Sequence, residues 1–207
     1  MENSFFSGSK GVKKILRVGN RIPWHYFVKS GIGQSDLTEH AGSYDRALRE
    51  CGIENYNLIG YSSLIPATAE RISSPPKSYT HGAVLEGITA VSTARKDERA
   101  TAGLISGWVY DDTDVKIGGL VAEHRENFEP HEAEKNLRES LDEMFHDRYP
   151  ESYKLKDEEI LGLESFVPEK KFGTAMVVLG FTDYAYPVLG EVRVNGLKEP
   201  KPLLKQL

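Results

Sequence analysis

Tyr56-Asn57-Leu58-Ile59-Gly60-Tyr61-Ser62-Ser63-Leu64-Ile65-Pro66 is the stretch on which the reading of this chain turns. A largely apolar run closes on two adjacent serines, and a proline stands three residues after the second. The run predicts a buried strand ending at the pair, where polar side chains must be satisfied or put to use. The chain's other serine pair, Ser73-Ser74, precedes Pro75-Pro76 in a polar segment and reads as loop. A Ser-Ser bond held at a strand end has a further chemistry open to it. The Ser63 hydroxyl can add to the Ser62 carbonyl, exchange the amide for an ester, and on elimination leave a pyruvoyl group at residue 63.

Outward from this stretch, the hydrophobic pattern predicts a mixed α+β domain. Upstream, Pro23 to Lys29 reads as a first strand and Ser30 to Asp36 as a turn-rich loop. Its Gly31-x-Gly33 resembles the opening of a dinucleotide fingerprint but lacks the third glycine, and such a pair more often marks a tight turn. Ser43 reads as the cap of a helix running to Cys51, stopped by Gly52. Downstream, Gly82 to Ala94 is rich in Val, Ile and Thr. Thr101 to Tyr110 and Lys116 to His124 flank an Asp-rich turn in the manner of a hairpin. Phe172 to Phe181 is nearly all apolar and is predicted to be central. Pro130 to Tyr149 places Leu137, Leu141, Met144 and Phe145 on one helical face, while Ile160 to Val167 fits either strand or helix. Residues 1–21 read as a partly disordered extension, 22–187 as the domain, and 188–207, with Pro200 and Pro202 among lysines, as a tail.

Composition narrows the function classes. With 207 residues, 39% of them apolar, the chain can bury one sizeable core. A net charge of −5 argues against nucleic acid as a bulk partner. No apolar run approaches the roughly 20 residues that span a bilayer, so a membrane role is not expected. The single cysteine, Cys51, cannot form an internal disulfide, and no Cys/His set has metal-ligand spacing. A cytoplasmic protein without a metal is the expectation.

Several blocks together resemble the pyruvoyl-dependent arginine decarboxylases, and in the later blocks their bacterial, chlamydial-type branch. They are Ser30-Gly31-Ile32-Gly33-x-Ser35-Asp36, Tyr44-Asp45-Arg46-Ala47-Leu48, Asn55-Tyr56-Asn57-Leu58 and Ser62-Ser63-Leu64-Ile65-Pro66. His81-Gly82-Ala83-Val84-Leu85-Glu86, Gly118-Gly119-Leu120-Val121-Ala122-Glu123 and Lys171-Phe172-Gly173 follow in order. The resemblance spans about 22–186. It departs from the archaeal pattern after the serines, where Pro66-Ala67-Thr68 replaces Pro-Pro-Gly.

The resemblance implies a four-layer αββα sandwich and a homotrimer, or a multiple of it, with active sites between neighbouring cleaved protomers. It implies L-arginine as substrate, agmatine and carbon dioxide as products, and a Schiff base on a pyruvoyl cofactor made from Ser63 after cleavage from Ser62. Asn57 would position the site or stabilise the oxyanion of cleavage; the residue otherwise reads as a turn cap. Glu123, ending the apolar run 120–122, would return a proton to the substrate Cα, its pKa raised by burial. The competing arrangement is a salt bridge with Arg125, and Glu86 is the rival acid. Asp45 would meet the guanidinium as a matching carboxylate, with Leu48, Tyr56 and Leu64 lining the pocket. Asp45 alone does not separate arginine from histidine or another basic amino acid, and an uncleaved, non-catalytic paralogue is the reading from a different class.

Overall fold

The computed structural model describes residues 13–76 and 79–194. Its elements run β1 (Lys13–Val18), β2 (Ile22–Ser35), α1 (Asp45–Cys51), β3 (Asn57–Gly60), β4 (Leu64–Pro66) and β5 (Glu70–Arg71). They continue as β6 (Val84–Arg95), β7 (Ala100–Tyr110), β8 (Lys116–His124), α2 (Pro130–Arg148), β9 (Lys154–Phe166), β10 (Phe172–Ala185) and β11 (Val188–Val194). The chain forms two compact units, the larger being Pro23–Tyr184.

The larger unit holds two sheets, ordered β3-β6-β10-β2-β5 and β4-β8-β7-β9. Strand alternation on β10 sets the layering, because successive side chains point to opposite faces. Met176 and Val178 meet Ala47, Leu48 and Cys51 of α1. Ala175, Val177 and Leu179 turn the other way and meet Ala102, Leu104 and Val121 of the second sheet. Leu137, Leu141 and Phe145 of α2 close the far side over Ile105, Val109 and Leu120. The stack is helix, sheet, sheet, helix. Each fully buried aliphatic side chain contributes about 1.5–3 kcal/mol, and β10 occupies the middle of its sheet, as its apolar run predicts.

Three local expectations are corrected, and the open choice between strand and helix after residue 160 is decided. Residues 30–35 are not a loop but the second half of β2. Their glycines serve helix packing: a Cβ at Gly33 would lie 2.0 Å from the Ser43 carbonyl oxygen, and one at Gly31 2.5 Å from the Glu50 Cβ. Ser43 does not cap α1. It is buried in a turn of π-helix, Glu39–Tyr44, that leads into α1, and its hydroxyl bonds the Glu39 carbonyl and Thr174. Residues 160–166 belong to strand β9. Finally, β3 is an edge strand pairing in parallel with β6, and Ile59 on it is 48% exposed.

The smaller unit joins the two ends of the chain. β1 and β11 pair antiparallel, Leu16 opposite Glu191, and the Gly19 N–H donates to the Pro187 carbonyl at 2.7 Å. Segments read from sequence as extension and tail thus each contain a strand. Neither carries a strong strand signal alone, since each depends on the other for its ladder. The disorder expected at the start and the Pro200/Pro202 segment fall on residues outside those described.

Candidate active site

β3 belongs to one sheet and β4 to the other, so residues 61–63 carry the chain from sheet to sheet. The serine pair sits at this crossing, and backbone bonds fix it from both sides. The Tyr61 N–H donates to the Gly87 carbonyl on β6 at 2.7 Å, and the Val121 N–H on β8 donates to the Ser63 carbonyl at 3.0 Å. Between them the Leu64 N–H donates to the Ser62 carbonyl at 2.6 Å, closing a three-residue turn about Ser63. The carbonyl that a Ser63 hydroxyl would attack therefore already carries a donor, which favours negative charge on that oxygen. Ser62 is exposed and Ser63 half-buried. A cavity of about 590 Å³ opens here, lined by Tyr61, Ser62, Leu64, Ile65, Ile117 and Tyr149 among others. The cavity lining takes in Ser62 and Leu64, the two neighbours of Ser63 in the chain.

Two carboxyl side chains face the layer between the sheets near the crossing. Glu123 alternates with Val121 on one face of β8, roughly 7 Å further along the strand. It forms an ion pair with Arg125, whose guanidinium also donates to the Thr89 carbonyl at 3.1 Å. This is the salt bridge the sequence allowed, rather than a lone buried acid. Glu86 on β6 is only 5% exposed. Burial, followed by the neighbouring Glu86 and Tyr61 side chains, pushes the Tyr184 pKa well above the ordinary 10.0.

The remaining predicted residues lie elsewhere in the chain. Asp45 is exposed on the first turn of α1. Leu48, expected to line a pocket wall, packs instead in the core beneath α1. The Tyr56 ring stacks on Tyr79 with centroids 3.9 Å apart. The Asn57 amide donates to the Gly82 carbonyl at 2.7 Å, where Gly82 takes the left-handed φ of 80°. Asn57 opens β3, and the serines follow its last residue, Gly60. About 10 Å of strand lies between the ends of β3, and Ser63 lies beyond it, so strand alternation does not fix Asn57 and Ser63 on one face. The chain gathers Ser62, Ser63, Leu64 and Glu123 at the crossing, while Asp45, Leu48, Tyr56 and Asn57 lie about α1 and the start of β3. Sequence reasoning missed Tyr61, Tyr184 and the backbone donors of Leu64 and Val121. Tyr61 adjoins the serines, but only the fold brings Tyr184 to it.

Comparison with known proteins places these features in a family. The family described as pyruvoyl-dependent arginine decarboxylase (PvlArgDC) matches residues 25–186. The chain is 30% identical over 186 residues to the pyruvoyl-dependent arginine decarboxylase AaxB of Chlamydia pneumoniae, covering 82% of this chain and 95% of that protein. Against AaxB of Chlamydia abortus it is 28% identical over 183 residues, covering 80% and 94%. The pyruvoyl-dependent arginine decarboxylase of Pyrococcus horikoshii is 28% identical over 139 residues, covering 67% and 84%.

Proposed function

Because the chain belongs to the pyruvoyl-dependent arginine decarboxylase family, we propose that it cleaves its own Ser62–Ser63 bond and then converts L-arginine to agmatine and carbon dioxide. The observation that carries this reading is the Leu64 N–H held 2.6 Å from the Ser62 carbonyl oxygen. The Ser63 Oγ adds to the Ser62 carbonyl carbon, and the negative charge that develops on the oxygen meets that donor. The C–N bond breaks as the hydroxyl proton passes to the Ser63 nitrogen, leaving an ester and a free amine. Loss of the Ser63 Cα proton expels the Ser62 carboxylate. The resulting enamine tautomerises, and water releases ammonia to leave the pyruvoyl group.

That group supplies the electron sink that amino-acid decarboxylation requires, by condensing with the substrate amine. The chain's own side chains do the rest. Glu123 is the acid assigned to return a proton to the substrate Cα, its carboxyl held between the sheets by Arg125, whose guanidinium also donates to the Thr89 carbonyl. Leu64 offers an exposed apolar surface beside the serines for the substrate methylenes. Asp45 meets the guanidinium. Its separation from the serines within one protomer supports sites shared between neighbours in a trimer, with the α1 and β3 cluster of one copy facing the crossing of the next. The cytoplasm, where arginine is at hand, is the proposed location.

The test is purified protein incubated with L-arginine, with agmatine and carbon dioxide measured against a Ser63→Ala variant. Wild type should release both in equal amounts, and Ser63→Ala should remain one intact, inactive chain. Equal arginine turnover by the two proteins would contradict the assignment.

A further inference from the structure

His124 is the last residue of β8 and only 2% exposed, and neither self-cleavage nor arginine turnover as proposed calls on it. It alternates with Glu123 along the strand, so its side chain points away from the layer between the sheets. On that side both ring nitrogens are occupied. Nδ1 lies 3.2 Å from the Asn136 side-chain oxygen on α2, and Nε2 lies 3.2 Å from the Glu126 carbonyl oxygen. Phe128 packs against the ring, centroids 5.1 Å apart. A carbonyl can only accept, so Nε2 carries a proton there. Asn136 can offer Nδ1 its oxygen when the ring is charged or, turned over, its amide N–H when the ring is neutral. Both contacts therefore survive either charge state.

These contacts bear on Glu123 through Arg125. The pairing of β8 with β7 ends at His124, opposite Gly103, so no ladder fixes Arg125, the next residue. Its guanidinium nonetheless pairs with Glu123 and donates to the Thr89 carbonyl on β6 at 3.1 Å. The Arg125 side chain is 57% exposed, against 18% for Glu123. An ion pair with one partner this exposed gains little unless its geometry is held from elsewhere. The His124 ring supplies that hold. It reaches past Arg125 to the Glu126 carbonyl, closing the backbone around the arginine. Asn136 ties the same ring to α2, beside the fully buried Leu137.

We propose that His124, anchored by Asn136 and the Glu126 carbonyl, is a positioning residue for the Glu123–Arg125 pair and, through it, for return of the proton to the substrate Cα. The inference rests on the assignment of Glu123 as that acid. His124 touches neither Ser62 nor Ser63, so self-cleavage should proceed without it.

The test is kcat and KM for arginine on cleaved protein. The variants are Glu123→Gln, Arg125→Met, His124→Phe, Asn136→Leu, Asn136→Asp and the His124→Phe/Arg125→Met double. His124→Phe keeps a ring and loses both bonds. Its kcat should fall about tenfold or more, the scale on which small misplacements slow reactions, with KM and two-fragment processing unchanged. Asn136→Leu should fall in the same way, whereas Asn136→Asp, which still presents an acceptor to a charged ring, should keep wild-type kcat. The double variant should be no slower than its slower parent, because both changes act through one guanidinium. A second readout is independent of turnover. In the Ser63→Ala chain, which forms no pyruvoyl group, nitrogen NMR of the Arg125 side chain should move toward a free guanidinium when either His124→Phe or Glu123→Gln is added. If His124→Phe does not fold, the two Asn136 variants carry the test. Wild-type kcat in His124→Phe, equal losses in the two Asn136 variants, additive losses in the double variant, or an Arg125 signal unmoved by His124→Phe would each overturn the proposal. Wild-type kcat in Glu123→Gln would instead remove the acid assignment, and this inference with it.

Discussion

Replacing Gly33 with alanine tests the packing that orients α1 and the Asp45 it carries. The new Cβ would sit 2.0 Å from the Ser43 carbonyl oxygen, 2.6 Å from the Ala47 backbone nitrogen and 2.9 Å from the Arg46 Cβ. Two of the three are backbone atoms, so no rotamer change relieves the overlap. Contacts of this kind do not fall under 3.0 Å, and α1 must retreat from β2 by roughly 1 Å or more. The retreat loosens Ala47, Leu48 and Cys51 against Met176 and Val178. Overpacking typically costs 1–3 kcal/mol, and a backbone clash belongs at the upper end, about 3 kcal/mol. For a chain of this size that is a fall in Tm of roughly 6–12 °C. The assay is thermal unfolding of Gly33→Ala beside Gly60→Ala, where a Cβ meets nothing within 4 Å. The control should change stability by no more than about 1 kcal/mol. A Gly33→Ala protein melting with wild type would refute the packing argument and restore the reading of 30–36 as a pliant loop.

Three further outcomes follow from the site and its surroundings. Glu123→Gln should still yield two fragments but lose about 10²–10⁴-fold in decarboxylation, the usual contribution of a general acid, as read from kcat on cleaved protein. Asp45→Asn should weaken arginine use by about 2–5 kcal/mol in kcat/KM, the cost of removing one partner of a buried charge pair, with cleavage intact. Asp183 accepts from the His25 N–H and ring nitrogen at 2.9 Å. Burial raises its pKa, but the hydrogen bonds from His25 and Thr182 outweigh this and leave it below the ordinary 3.8. A depressed carboxylate stabilises the fold above its unfolded pKa and loses that contribution as pH falls through the folded value. The Tm advantage of wild type over Asp183→Asn should therefore be present at neutral pH and be lost as pH falls below 3.8.

Most strands and both helices were legible because burial writes itself into periodicity, whereas the four-layer stacking came only with the family resemblance. β10 reads as central because both its faces are covered, one by α1 and one by the second sheet. Gly31 and Gly33 misled because a glycine that admits a helix backbone looks in sequence like one that makes a turn. β3 misled in the opposite sense: Leu58 and Ile59 suggest burial, yet the strand lies at a sheet edge. The serine pair stood out by itself. Its backbone anchors did not, because Gly87 lies 26 positions beyond the Tyr61 it holds and Val121 58 beyond Ser63, and each meets its partner only through sheet registry. The Glu123–Arg125 ion pair was legible as the competing arrangement, because residues two apart on an extended chain share a face.

The most direct measurement is denaturing mass spectrometry of purified, active wild-type protein. The account predicts two fragments, residues 1–62 and 63–207, the second lighter by one ammonia than a fragment beginning with serine and reactive toward hydrazines at its first residue. A single intact chain in a preparation that fully decarboxylates arginine would contradict it.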